Sequence, residues 1–136
     1  MHFSHVALNC VDQAVTERFY CTHFGFRRAR VVELGDSQIT FLRNDHAYLE
    51  LFASTGERLG GAPVGDGPGS SGFRHLAFQV DDVDATLVAM GDDAVVSLGP
   101  LGFDDFIGGW RSVWLRDPDG TIVEISQGFR DDPALD

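Results

Sequence analysis

Basic residues are scarce in this chain: ten stand against twenty-one aspartates and glutamates, a formal net charge of −11. A surface this negative repels phosphate backbones and anionic lipid, so neither nucleic acid nor a membrane surface is an expected partner. A small anionic substrate in a local pocket is not excluded. Cysteine is almost missing as well. Cys10 and Cys21 form no Cys-x-x-Cys pair and no disulfide framework, which points to reduced, partly buried thiols in a cytoplasmic protein. Long hydrophobic runs are lacking: none approaches the roughly 20 residues that cross a bilayer. Residues 1–5 carry neither a basic start nor an apolar stretch, so no signal peptide is expected. Apolar side chains are plentiful, 43% of 136 residues. That suffices for one ordinary domain, or two very small ones folded together, and excludes a disordered chain.

The chain repeats itself. His5-Val6-Ala7-Leu8-Asn9 is echoed by His75-Leu76-Ala77-Phe78-Gln79, and Tyr48-Leu49-Glu50-Leu51-Phe52 by Ile122-Val123-Glu124-Ile125-Ser126. The two histidines stand 70 residues apart and the two glutamates 74. One domain, 1–136, therefore holds two modules of similar plan, 1–53 and 73–128. Residues 54–72 carry seven glycines and two prolines and form a linker. In module one the alternation predicts a strand over 3–9. A helix follows, capped by Asp12, burying Val15, Phe19, Tyr20 and Phe24, and stopped by Gly25. Strands are expected over 27–34, 38–43 and 47–53. Module two repeats the order: a strand over 73–80, a helix from Asp82 to about Met90 ended by Gly91, then strands over 94–98, 110–116 and 121–127. Asp117-Pro118-Asp119-Gly120 is a turn signal between the last two.

Alternation also sorts the faces. Val6, Leu8, Cys10, Leu49 and Leu51 belong under the first helix, and Leu76, Phe78, Val80, Val113, Leu115, Val123 and Ile125 under the second. The opposite face carries His5, Asn9, Tyr48, Glu50, Phe52, His75, Gln79, Glu124 and Ser126, joined by Ser112 and Trp114. Two imidazoles and two carboxylates on one concave face form a site for a divalent first-row metal, Zn, Ni, Co, Mn or Fe(II). Four protein ligands around an octahedral ion leave two adjacent positions for a substrate with neighbouring oxygens. Such an ion stabilises an enolate while Glu50 or Glu124 moves the proton. Taken singly, a strand histidine is a hydrogen-bonded structural residue and a mid-strand glutamate a solvated one. Their repetition in register favours the metal.

These features resemble the vicinal oxygen chelate superfamily, which includes glyoxalase I, methylmalonyl-CoA epimerase, extradiol dioxygenases, fosfomycin-resistance enzymes and bleomycin-binding proteins. The resemblance runs from about Phe3 to Gln127. It is carried by Ser4-His5-Val6-Ala7-Leu8, Phe19-Tyr20 with Phe24-Gly25-Phe26, Tyr48-Leu49-Glu50-Leu51, Arg74-His75-Leu76-Ala77-Phe78, and Asp117-Pro118-Asp119-Gly120 with Glu124. It implies an α+β fold in which two βαβββ modules pair into a cup of curved sheet. The implied metal ligands are His5, Glu50, His75 and Glu124, the two glutamates doubling as the catalytic pair.

The resemblance also ranks activities. The four-ligand set is that of glyoxalase I, whose bacterial forms usually carry an Arg four residues beyond the first histidine and an Asn four beyond the first glutamate. Here those positions are Asn9 and Ser54, and an amide is no guanidinium clamp, although Arg43 or Arg111 offers a replacement. Segments 24–30 and 99–108 are similar to epimerases of keto-cyclitols of the 2-epi-5-epi-valiolone type. The expected function is thus a metal-dependent isomerase or epimerase, with lactoylglutathione lyase as the alternative. A metabolite- or antibiotic-sequestering binding protein is the alternative from another class. Substrate-binding candidates are Asn9, Gln79, Ser112 and Trp114, with Phe103 and Phe106 beside Trp110 in a glycine-punctuated loop, 99–109. That loop reads equally as a lid, a hydrophobic plug or a dimer contact. A homodimer is expected, and the linker allows each site to be built from one chain or two.

Overall fold

The structure is a computed structural model and describes residues 1–135. The chain divides into two compact units, Met1–Gly61 and Ala62–Asp136.

The first unit holds β1 (His5–Cys10), α1 (Gln13–His23), β2 (Arg27–Glu33), β3 (Gln38–Arg43) and β4 (Tyr48–Ala53). Its sheet has the order β1-β4-β3-β2, parallel between β1 and β4 and antiparallel elsewhere. The segment of α1 contains neither Gly nor Pro, and Asp12 caps it, its carboxylate accepting from the N–H groups of Ala14 and Val15 at 2.9 and 3.2 Å. Thr16, Phe19 and Tyr20 are its buried residues, and Leu8, Cys10, Thr40, Leu42, Leu49 and Leu51 are the buried sheet residues of the same unit. Thr16 takes the place expected for Val15 because its hydroxyl donates back to the Asp12 carbonyl, 3.2 Å away, and so satisfies itself. Burying Phe19 contributes roughly 1.5–3 kcal/mol. Asp12→Ala is expected to cost about 1 kcal/mol, measured by denaturant unfolding.

The second unit holds β5 (Leu76–Gln79), α2 (Val83–Met90), a 3-10 turn (Gly91–Asp93), β6 (Val95–Gly102), β7 (Arg111–Arg116), β8 (Ile122–Gln127) and a final 3-10 turn (Pro133–Leu135). Its sheet has the matching order β5-β8-β7-β6, with β5 parallel to β8. Asp82 caps α2 through the Ala85 N–H, and Gly91 ends it with φ +57°, a conformation that favours glycine. Val83, Met90, Val113, Leu115, Ile122, Val123 and Ile125 are buried. In the β7–β8 turn the Asp117 carboxylate accepts from the N–H groups of Asp119 and Thr121 at 3.0 and 2.8 Å.

Three elements differ from the sequence pattern. Strand β1 starts at His5 rather than Phe3, which lies 68% exposed, and β5 covers only four residues of the expected 73–80 because it pairs only along Val123–Ser126 of β8. Strand β6 instead runs past Leu98 to Gly102, so the first four residues of the expected 99–109 loop are strand. As an edge strand it tolerates Pro100, and two register shifts, between Val96 and Leu98 and between Leu98 and Leu101, absorb the irregularity. Both cysteines are thiols, Cys10 buried and Cys21 partly so. Burial, then the Glu17 carboxylate, pushes the Cys21 thiol up, against a smaller downward pull from Arg28. No described helix is long and apolar enough to cross a membrane.

Candidate metal centre

Cross-strand partners share a face, so register assigns each side chain. In the first unit one row reads His5, Tyr48, Arg43, Arg27 and the next Ala7, Glu50, Phe41, Arg30. His5 and Glu50 are diagonal neighbours on adjacent parallel strands, and their Nε2 and Oε2 atoms lie 3.2 Å apart. The His5 Nδ1 meets the Ser4 hydroxyl at 3.0 Å, and its ring stands edge-on to Phe41 with centroids 6.5 Å apart. Glu50 is the more enclosed, its side chain 15% exposed against 41% for His5.

The second unit repeats the arrangement more tightly. His75 precedes β5, and its Nε2 lies 2.9 Å from Oε2 of Glu124, whose side chain is 12% exposed. The other ring nitrogen, Nδ1, faces the carbonyl oxygen of Asp66 at 2.9 Å. A carbonyl only accepts, so Nδ1 carries a hydrogen and Nε2 is the nitrogen turned to the carboxylate, its lone pair free for a cation once no proton occupies it. Two lone pairs at this distance require a cation between them, a proton or a metal ion. With metal–ligand bonds of about 2.1 Å, two donors at right angles stand about 3.0 Å apart. Both pairs have this spacing. The residues present therefore fit a divalent ion, and a backbone carbonyl behind a ligand histidine is the usual means of fixing its tautomer.

Each unit holds one His–Glu pair, and among the described residues no group of three or more His, Cys, Asp or Glu side chains is gathered in either. The structure brings His5 to Glu50 and His75 to Glu124. Trp114 and Glu124 are directly paired across β7 and β8, as are Ser112 and Ser126, and Gln79 and Ser126 across β5 and β8. Trp114 is 7% exposed, yet its indole N–H has no protein acceptor among the described residues. Ser112 donates to Ser126 at 2.9 Å, and so does the Trp110 indole at 3.1 Å. Asn9 and Gln79 are exposed on their strands. In the remaining loop Phe103 stacks on Trp110 at 4.7 Å and Asp104 accepts from the Gly109 N–H at 2.8 Å, while Phe106 stays 79% exposed.

Asp66 escaped sequence reasoning because its contribution is a backbone oxygen inside a glycine-rich linker. The neighbouring Gly67 was the available signal. Its φ is +131°, and a Cβ there would come within 2.6 Å of the Arg74 carbonyl oxygen. Arg74 also pairs with the Asp66 carboxylate, so the linker is clasped to the residue before His75. Gly67→Ala is expected to destabilise the unit by about 1–3 kcal/mol and to broaden the His75 ring resonances, both read in one set of NMR spectra.

Residues 2–125 match the model of the glyoxalase family, described as Glyoxalase/Bleomycin resistance protein/Dioxygenase superfamily. A relative in Escherichia coli K12, "Uncharacterized protein YaeR", is 33% identical over 130 residues, covering 89% of this chain and 92% of that one. A glyoxalase family protein from Enterococcus faecalis superposes with a TM-score of 0.71 at 26% identity, covering 92% of this chain and 96% of that one. The fosfomycin resistance protein FosX from Listeria monocytogenes, solved with Mn(II) and sulfate, shares the fold with a TM-score of 0.65 at 17% identity, covering 94% and 93%. Two four-stranded mixed sheets with a helix each, in the order βαβββ twice, are the α+β architecture these neighbours share. The chain belongs to the glyoxalase/bleomycin resistance protein/dioxygenase superfamily, the vicinal oxygen chelate superfamily.

Proposed function

We propose that this protein is a metal-dependent isomerase or epimerase that moves a proton at the carbon next to a carbonyl, acting on a polyhydroxylated cyclic ketone of the 2-epi-5-epi-valiolone type. The supporting observation is the twice-repeated His–Glu pair, with donor atoms 3.2 and 2.9 Å apart and one histidine already held as the ligand tautomer. In this reading His5, Glu50, His75 and Glu124 are the ligands of one divalent ion per site, in a homodimer with two equivalent sites. The ion, when bound, supplies positive charge that stabilises the developing enolate. Glu50 or Glu124 takes the proton from the carbon, and the other carboxylate, or the first after reorientation, returns it to the opposite side. Trp114 stands directly across from Glu124 on the same face, its indole N–H buried without a protein acceptor among the described residues. Asn9, Gln79 and Ser112 add neutral hydrogen-bonding groups suited to a polyol.

The test is metal analysis of purified protein followed by incubation with the cyclitol and with the methylglyoxal–glutathione hemithioacetal in heavy water. Deuterium at the carbon beside the cyclitol carbonyl is the expected result. Conversion of the hemithioacetal alone assigns the lyase activity instead. Tight binding of a ligand by metal-free protein, with no exchange in either substrate, assigns sequestration.

A further inference from the structure

The chain contains no lysine, so all ten of its basic residues are arginines, and three of the ten share one face of the first unit's sheet. The reason is a bulge. Simple alternation along β2 would set Arg28 and Arg30 on one face and Arg27 and Ala29 on the other. The register shifts between Arg28 and Arg30, so that Arg27 pairs with Arg43, Arg28 with Leu42 and Arg30 with Phe41. Arg28 goes to the helix side, where its guanidinium forks onto the Glu17 carboxylate at 2.8 and 2.5 Å. Arg27, Arg30 and Arg43 go to the face of His5 and Glu50.

A cavity of about 550 Å³ opens there, lined by Arg27, Arg30 and Arg43 with His5, Phe41 and Tyr48 among others; Arg28 also borders it but is already paired with Glu17. That volume lies within the range of small-molecule sites. Three guanidinium groups gathered in a chain of net charge −11 repel one another unless something answers them. Among the described residues Arg30 and Arg43 have no ion-pair partner. Arg27 has only Asp45, at 4.0 Å, with both side chains more than half exposed. Arg43 and Arg27 stand two and three strands from His5, about 10 and 14 Å at the usual strand spacing. Planar guanidinium forks at this remove suit a phosphate or carboxylate at one end of a molecule whose other end reaches His5 and Glu50.

The geometry points to an oxyanion subsite formed by Arg27, Arg30 and Arg43, so that the polyhydroxylated ketone proposed as substrate is bound in a form carrying a phosphate or carboxylate group. This rests on the proton-transfer reading for what happens at the other end of the molecule, but the subsite itself is testable without it. Inorganic phosphate and acetate are titrated separately into the full chain at constant ionic strength, following the arginine Nε–Hε resonances. Saturable shifts confined to Arg27, Arg30 and Arg43 are expected, and the tighter of the two anions identifies the group. Arg30→Gln with Arg43→Gln is expected to weaken that binding at least tenfold, and Arg130→Gln to leave it unchanged. Shifts that fail to saturate, that spread over all ten arginines, or that survive the double substitution overturn the subsite. Metal content and deuterium exchange, measured on the same preparations with the cyclitol in both uncharged and phosphorylated form, judge the proton-transfer reading separately. Localised arginine shifts in a protein that neither holds metal nor exchanges protons keep the subsite and remove that reading. Metal binding and exchange without arginine shifts do the reverse.

Discussion

Replacing His75 with alanine is expected to lower divalent-metal affinity by more than 100-fold while the protein still unfolds cooperatively near its original metal-free Tm. His75 precedes β5 and lies outside the strand pairing, so its loss removes some packing, its side chain being 21% exposed, but no sheet register. What it chiefly removes is a nitrogen donor already oriented by the Asp66 carbonyl. Disturbing such an orienting partner alone commonly costs about 10–100-fold in affinity, and deleting the ligand itself costs more. His5→Ala should have the same effect, since its Nε2 meets Glu50 as His75 meets Glu124. Calorimetric titration with Zn(II), Ni(II) and Mn(II), set beside thermal unfolding of the metal-free forms, separates lost ligation from lost folding. Full metal content in both single variants would remove these histidines from the ligand set.

The histidine pairs were legible in the sequence because strand alternation is a one-dimensional code. His5 and Glu50 fall on the same parity relative to Leu8 and Leu51, and so do His75 and Glu124 relative to Phe78 and Ile125. Buried leucines and isoleucines fix which parity faces the helix, and the polar set follows on the other side. The turns and caps were legible for a similar reason: Asp12, Asp82 and Asp117 act through side chains on backbone groups two to four residues away. Three features lie outside that code. The bulge in β2 adds one residue to one strand of a pair, so it shows only against β3, and it alone sends Arg30 rather than Ala29 to the face of Glu50. Asp66 acts through its carbonyl oxygen, which every residue possesses. Strand β6 continues through Gly99 and Pro100, two residues that read as a break, because an edge strand can leave one side unpaired.

Glu50→Gln and Glu124→Gln are each expected to retain much of the metal affinity while lowering proton exchange by roughly 10²–10⁴-fold at whichever position supplies the base. The amide oxygen keeps a donor in place of Oε2, so ligation suffers less than with alanine. The amide nitrogen accepts no proton at neutral pH, so base catalysis is lost. The two positions differ in surroundings, which sets the expected asymmetry. Glu124 faces an imidazole fixed through Nδ1 and stands across from Trp114, whereas Glu50 faces the more exposed His5 and shares its row with Arg30. A carboxylate held beside a histidine fixed through its Nδ1 is the better placed to stay in the coordination sphere. The one whose histidine is 41% exposed is the better placed to meet a substrate carbon. Glu50→Gln is therefore expected to be the more damaging to exchange, and Glu124→Gln the more damaging to metal affinity. The measurement is solvent deuterium incorporation under saturating metal, paired with metal affinity for each variant. If both variants exchange at the full rate, neither carboxylate is the base. If Glu124→Gln alone stops exchange with metal still bound, the roles of the two glutamates are reversed.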